Sequence, residues 1–317
     1  MQQKFFFQPS KSVAKRLTET FDFVWPTAAA IWNLRWQVVG IVQVCPDISE
    51  AELLGRFVAG SEIRGANLKK ACITTSWSGQ QRQFAKFLLF EFCALYEWWC
   101  ESMHGRLSLP DGSSKALQFP TSTKGNVKRG VGSVIDAATA SGSSVVGAAF
   151  FPSLKTNKKY APIQIESLLT CYRYFKELRN SLIHGSGDAV EKLKSSETNY
   201  RKLSAADLRA AEVPAFIPYS GSGDPDISLR GVVGFGEIVL MLVSTLDIEL
   251  SKTALSEIEF KECWSRVHGD GPREVATVDA NRRAHRIRVL SKNLGLPTPK
   301  VSVEFEEWLR ANRLVHY

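Results

Sequence analysis

The chain has 317 residues, 44% of them hydrophobic and 23% charged, an ordinary composition for a globular protein of one large or two small domains and one that excludes a disordered chain. Forty Lys and Arg against 32 Asp and Glu give a formal charge of +8, a moderate excess that favours an anionic partner. Six cysteines, at 45, 72, 93, 100, 171 and 263, form no Cys-x-x-Cys pair and have no histidine at zinc-finger spacing. That pattern argues against a structural zinc site, so no metal or other cofactor is expected.

In chain order, residues 1–75 are expected to form an N-terminal helical region. Its start, Met1 to Pro9, holds three phenylalanines but no apolar run of signal length. Lys11 to Asp22 has weak helical character, Pro26 marks an element boundary, and Thr27 to Val44 is apolar. Trp32 and Trp36, at i and i+4, share a helix face and are expected to anchor a core. Pro46 to Glu52 offers a helix start with early acids, and the helix should run to about Val58.

Ser78 to Met103 reads as a second strong helix, apolar over much of its circumference, which places it in the middle of a helical bundle or at a subunit contact. Glu91 lies within it and needs a partner, with Arg179 one candidate. Residues 105–161 are the least regular, with turns at Leu109 to Ser114 and Ala140 to Ser144. From Thr121 to Ala161 six basic residues, Lys124, Lys128, Arg129, Lys155, Lys158 and Lys159, face one acid, Asp136. This basic insertion is a candidate for a loop that tracks a phosphate backbone, with a solvated loop as the alternative.

From Pro162 to His184, apolar residues recur at three- and four-residue intervals through Ile165, Leu168, Leu169, Tyr172, Phe175, Leu178 and Leu182. Pro162 suits a first turn, and Gly185 supplies the left-handed position that ends many helices. At about 100° per residue Glu177, Asn180 and His184 fall on one line, whereas Arg179 lies roughly 140° around from His184. The two can meet only if the arginine reaches over, the last turn distorts, or one subunit's arginine completes another's histidine site. A histidine on a helix dipole and a snorkelling arginine are the plain alternative.

The phrase Leu178-Arg-Asn-Ser-Leu-Ile-His-Gly185 resembles the Arg-Asn-x-x-x-His signature of the HEPN superfamily, named for its occurrence in higher eukaryotes and prokaryotes. The resemblance implies a mainly α, HEPN-like helical bundle over about residues 76–265, flanked here by the N-terminal region and a basic C-terminal appendage at 266–317. It further implies a homodimer and, as in many members, a metal-independent endoribonuclease of toxin, abortive-infection or CRISPR-associated systems, with RNA as partner and an antitoxin or phage-derived trigger as restraint. By that likeness His184 is the acid/base residue, Arg179 binds the scissile phosphate and Asn180 orients one or the other.

The chemistry suits those residue types. Metal-free RNA cleavage needs a group near neutral pKa to move the 2′-hydroxyl proton, which histidine supplies, and fixed positive charge where the phosphorane develops, which arginine's planar fork supplies. The products would be a 2′,3′-cyclic phosphate and a 5′-hydroxyl, and DNA would not be cut.

Asp188 to Pro225 is polar and turn-rich, with a short helix near Ser204 to Ala211 and a break at Ser220 to Pro225. Arg230 to Trp264 is read as one long helix. Gly231, Gly234 and Gly236 near its start either permit close packing or delay its beginning. The longest apolar run, Val232 to Leu246, falls short of the roughly 20 residues a bilayer needs, so no membrane association and a cytoplasmic protein are expected. The C-terminal piece places Arg282, Arg283, Arg286 and Arg288 in a stretch without acids, then a turn and a last helix from Val303 to Leu314. That order is loosely like a helix-turn-helix, so these arginines are candidates for nucleic-acid contact, against a helical cap as the alternative. Two other functions stay open: a non-catalytic HEPN-like module binding RNA, nucleotide or protein, and a DNA-binding regulator acting through the C-terminal helices.

Overall fold

The computed structural model of the chain describes residues 4–140, 144–185, 187–221, 225–275 and 278–316. Parts of the two breaks expected at Ala140 to Ser144 and Ser220 to Pro225 lie outside those residues, as does Ser186. The described chain is mainly helical, as its periodicities require.

Helix α1, Gln8–Val44, is 37 residues long and runs through Pro26 without a break, against the expected boundary. Asp22 and Pro26 are both exposed, so the carbonyl that loses its i+4 donor is on the solvent side and the helix tolerates the ring. At the helix start no side chain of the first turn acts as cap. Instead the buried carboxylate of Asp247 accepts the Phe6 and Phe7 N–H groups at 2.7 and 3.0 Å.

The second half of α1 packs on helix α2, Glu50–Phe57, which opens with a capping box between Ser49 and Glu52. A short π-helical turn, Lys70–Thr74, closes this small unit. Its core is Val38, Leu53, Leu68 and Cys72, with Leu34 and Ile41 against it. Trp32 and Trp36 do not anchor it. They form an edge-on pair at 5.6 Å outside that core, with Trp32 against the Trp77 ring at 4.9 Å and Trp36 62% exposed. A shared face was legible from their spacing, but the face that α2 covers is the one carrying Leu34, Val38 and Ile41.

Helix α3, Trp77–Arg106, confirms the second strong helix and buries Leu88, Leu89, Phe92, Tyr96, Trp99 and Met103. The segment expected to be irregular holds more structure than its turns suggested: α4 (Ser113–Ala116), an exposed hairpin of β1 (Ser122–Lys124) and β2 (Val127–Arg129), then α5 (Val131–Thr139) and α6 (Val145–Leu154). A 3-10 turn, Pro162–Gln164, leads into α7, Ile165–His184. Gly185 ends α7 with φ of 56°, the left-handed residue its position predicted.

Helix α8, Gly187–Tyr200, lies along α7 where only polar, turn-rich chain was expected. It buries Ala189, Leu193 and Tyr200, an apolar stripe too thin to read by period, together with Glu197. After the short α9, Ala205–Leu208, comes α10, Leu229–Leu250, the most buried helix of the protein. By length and composition α10 could cross a bilayer, more than its apolar run alone indicated. Most of it is nevertheless covered by neighbouring helices, as a core helix is.

The expected single helix over 230–264 is two, because α11 begins anew at Ser256 and runs to His268. The buried hydroxyls of Ser251 and Ser256 donate to the Ile248 and Thr253 carbonyls, bonds that compete with the helical ladder and let the chain turn.

Strand β3, Arg273–Glu274, pairs in parallel with β4, Val315–His316, and between them lie α12, Ala280–Asn293, and α13, Val303–Ala311. One continuous hydrophobic core takes in Phe5, Phe6 and Phe7, the first half of α1, helices α3, α7 and α10, and Ile287, Leu290, Phe305 and Leu309 of the C-terminal piece. Among the described residues the three sequence regions therefore share one core, and the 34–72 unit adds a small core of its own.

Candidate functional site

The geometry of α7 follows from its stripe. Leu168, Leu169, Tyr172, Phe175 and Leu178 are buried against α3 and α10, with the Phe175 and Phe235 rings stacked at 4.5 Å. Arg179, one residue past the stripe, therefore leans toward α3. Its guanidinium meets Glu97 at 2.6 Å and donates to Asn180 Oδ1 at 3.2 Å. Lys176, one turn earlier, reaches the other oxygen of Glu97 at 2.7 Å. Asn180 in turn donates to the buried Glu177 at 3.2 Å, and Glu177 is paired with Arg173.

Two cations on one carboxylate leave a net positive charge at the α3–α7 seam, and only 19% of the Arg179 side chain is exposed. Burial opposes the charge on Arg179, but Glu97, by its charge and its hydrogen bond, helps outweigh it and holds the guanidinium pKa above its ordinary value. Burial also pushes the Cys93 thiol up to about 12, so it stays neutral beside the arginine. This is a fixed cation rather than a titrating one.

His184 differs in every respect. It is exposed in the last turn of α7, and among the described residues it has no hydrogen-bond or ion-pair partner. No bond joins it to Arg179, as the 140° offset anticipated. Of the three ways to bring them together, the structure shows neither a reach-over nor a distorted last turn.

The partner of Arg179 is Glu97, not the Glu91 that the sequence suggests. Glu91, the candidate offered, pairs with Arg16 of α1 at 2.8 Å, and Glu97 takes Arg179. Both acids sit in the same apolar helix, and which of them faces α7 depends on helix packing that periodicity does not encode.

The basic insertion lies elsewhere. Thr121, just before β1, donates through its N–H and hydroxyl to Glu166 in the first turn of α7. At 1.5 Å per residue that is about 27 Å along the helix from His184. On the hairpin, Lys124 and Arg129 are exposed while Lys128 is paired with Asp136 at 2.6 Å. Lys155 sits over the Phe151 ring, Lys158 is exposed, and Lys159 is paired with Glu237. In α12, Arg282 is close to Asp279 and Arg286 is exposed. Arg283 is largely buried in an ion pair with Glu306 of α13, which makes it a packing residue.

Among the described residues no group of His, Cys, Asp and Glu is arranged to hold a metal ion. Comparisons with protein-family models, with curated proteins and with solved structures find no match to this chain.

Proposed function

We propose that the protein is a metal-independent endoribonuclease in which His184 moves the proton, Arg179 stabilises the phosphorane and Asn180 orients the pair. The observation that carries this reading is the contrast within two turns of α7: an arginine fixed by Glu97 and Asn180, and an exposed histidine with no partner of its own. A fixed cation costs no reorganisation when charge develops, and a free imidazole can reach a 2′-hydroxyl.

In this reading the active form is a homodimer. Arg179 and His184 lie on different sides of α7, while α3, which holds Arg179, leaves Phe87 (54%), Phe90 and Trp98 (41%) exposed for a second copy to cover. The resemblance supplies the setting, a toxin or abortive-infection effector acting on RNA under the restraint of an antitoxin or a phage-derived trigger.

The test is cleavage of RNA by purified protein in EDTA. Wild type should leave 2′,3′-cyclic phosphate ends, and His184→Ala should lose at least about 100-fold in rate. Arg179→Ala should lose a comparable factor with unchanged near-UV circular dichroism. Cleavage by His184→Ala at the wild-type rate sinks the proposal.

One observation favours a second reading, a non-catalytic RNA-binding module: Glu97 already occupies an edge of Arg179 that a phosphate would use. RNA binding that survives the double variant, without turnover by wild type, would select it.

A further inference from the structure

A large groove lies away from the α7 motif. It is a cleft of about 1200 Å³ between α1, α10 and the segment that follows α12. Lys4, Lys11, Lys15, Lys159 and Lys292 line it, against two acids, Glu19 and Glu237. Both acids are engaged, Glu19 with Lys15 at 3.5 Å and Glu237 with Lys159. Lys4, Lys11 and Lys292 have no carboxylate within ion-pair distance among the described residues.

Lys11 is the telling member, because it is half-buried, lies beside Gly295 and forms no hydrogen bond or ion pair there. Burial lowers its pKa, an effect that Cys263, Asp247 and Glu259 behind it partly offset. A cation kept in such a place without a direct partner is poised for an anion from outside.

The other end of the cleft is aromatic. Phe21 stacks on Trp25 at 5.8 Å with the rings 17° apart, and Trp25 remains 44% exposed. From Lys11 to Trp25 is 14 residues of one continuous helix, about 21 Å. That length exceeds a single nucleotide and suits several in a row. Cations along a groove with an open aromatic platform are the two components by which proteins hold single strands.

We infer that this groove binds a short single-stranded nucleic acid, with its phosphates along Lys4, Lys11 and Lys292 and a base on Trp25. That the strand is RNA rather than DNA rests on the ribonuclease reading above. The C-terminal piece then contributes through Lys292 and the backbone after it, and not through the arginines of α12.

The test is fluorescence anisotropy of a labelled RNA decamer, with the full chain carrying His184→Ala so that the probe stays whole. Affinity should fall at least tenfold in Lys4→Glu/Lys292→Glu, and the slope of log K against log salt should shrink by about 1.4. Trp25→Ala should lose about tenfold with a nearly unchanged salt slope. Arg282→Glu/Arg286→Glu, on the exposed face of α12, should bind as the parent does. Thermal melts of all variants establish that they fold.

Equal affinity of the lysine variants and the parent overturns the inference, as does a duplex that binds as well as the strand. Competition by AMP at the same molar concentration as the decamer overturns the strand-length argument. Because the assay reads binding in cleavage-dead protein, its failure is separate from failure of the ribonuclease reading, which would show as intact RNA with wild type. A DNA decamer bound equally well would retain the groove and remove its link to that reading.

Discussion

At the scale of single residues, two acids, one half-buried and one buried, show how differently a carboxylate is used. Glu97 is shared by two cations and stays at the seam of α3 and α7, whereas Asp247 is fully buried and serves backbone N–H groups. Burial raises the Asp247 pKa to about 6, against the opposing pull of the Phe6 and Phe7 N–H groups, Ser10 and Lys11. The folded state therefore holds this proton more tightly than the unfolded chain, whose ordinary value is 3.8. The linked stability is fully present below about pH 4 and is lost as pH rises through about 6, an effect of about 3 kcal/mol. Asp247→Asn removes that titration, although it also leaves one of the two N–H groups without its acceptor. Thermal unfolding from pH 4 to 7 should show the advantage of wild type over Asp247→Asn narrowing steadily. Parallel curves would mean that Asp247 does not titrate in this range.

At the scale of elements, the strongly periodic helices were legible, because a stripe repeated over many turns has one solution. Helices α3 and α7 and the left-handed stop at Gly185 follow from the sequence for that reason. What escaped was decided by neighbours. Helix α8 has an apolar stripe of only three residues, the break between α10 and α11 is accompanied by serine hydroxyl bonds, and α1 passes Pro26 because that side meets water. Within the site, Arg179, Asn180 and His184 were readable as a motif, but Glu97 was not, since a carboxylate's facing helix is a property of packing. The glycines near the start of α10 suit either close packing or a delayed start, and the structure shows close approach. A Cβ on Gly231 would stand 1.7 Å from the Ala215 carbonyl oxygen, whereas one on Gly40 of α1 meets nothing within 4 Å. Gly231→Ala should therefore lose about 1–3 kcal/mol by overpacking, and Gly40→Ala should gain about 0.5–1 kcal/mol from helix propensity. Denaturant midpoints moving in opposite directions check the pair, and a neutral Gly231→Ala would place the 214–216 segment away from α10.

At the scale of the whole molecule, the question is whether the C-terminal piece is an appendage or part of the fold, and the packing answers it. Phe305 lies edge-on to Phe150 of α6 at 6.1 Å and against Phe260 of α11 at 5.9 Å. Trp308 donates to Glu257 at 2.9 Å, His268 donates to the Leu290 carbonyl at 3.1 Å, and the N–H of Lys300 donates to the Ala149 carbonyl at 2.7 Å. Burying Ile287, Leu290, Phe305 and Leu309 alone contributes roughly 6–12 kcal/mol at 1.5–3 kcal/mol per side chain, comparable with the whole net stability of a typical domain. A chain ending at Asp270 should consequently lose its cooperative thermal transition and bind a hydrophobic dye, while the longer helices keep part of their far-UV signal. The same reasoning decides how truncation bears on nucleic-acid binding. If α12 and α13 were a separable DNA-reading unit, the shortened protein would melt as sharply as the full one and lose only its ligand. If they complete the core, binding and folding disappear together, so point changes at Lys292 and in α12, which leave Phe305 and Leu309 in place, are the variants able to separate the groove from the fold.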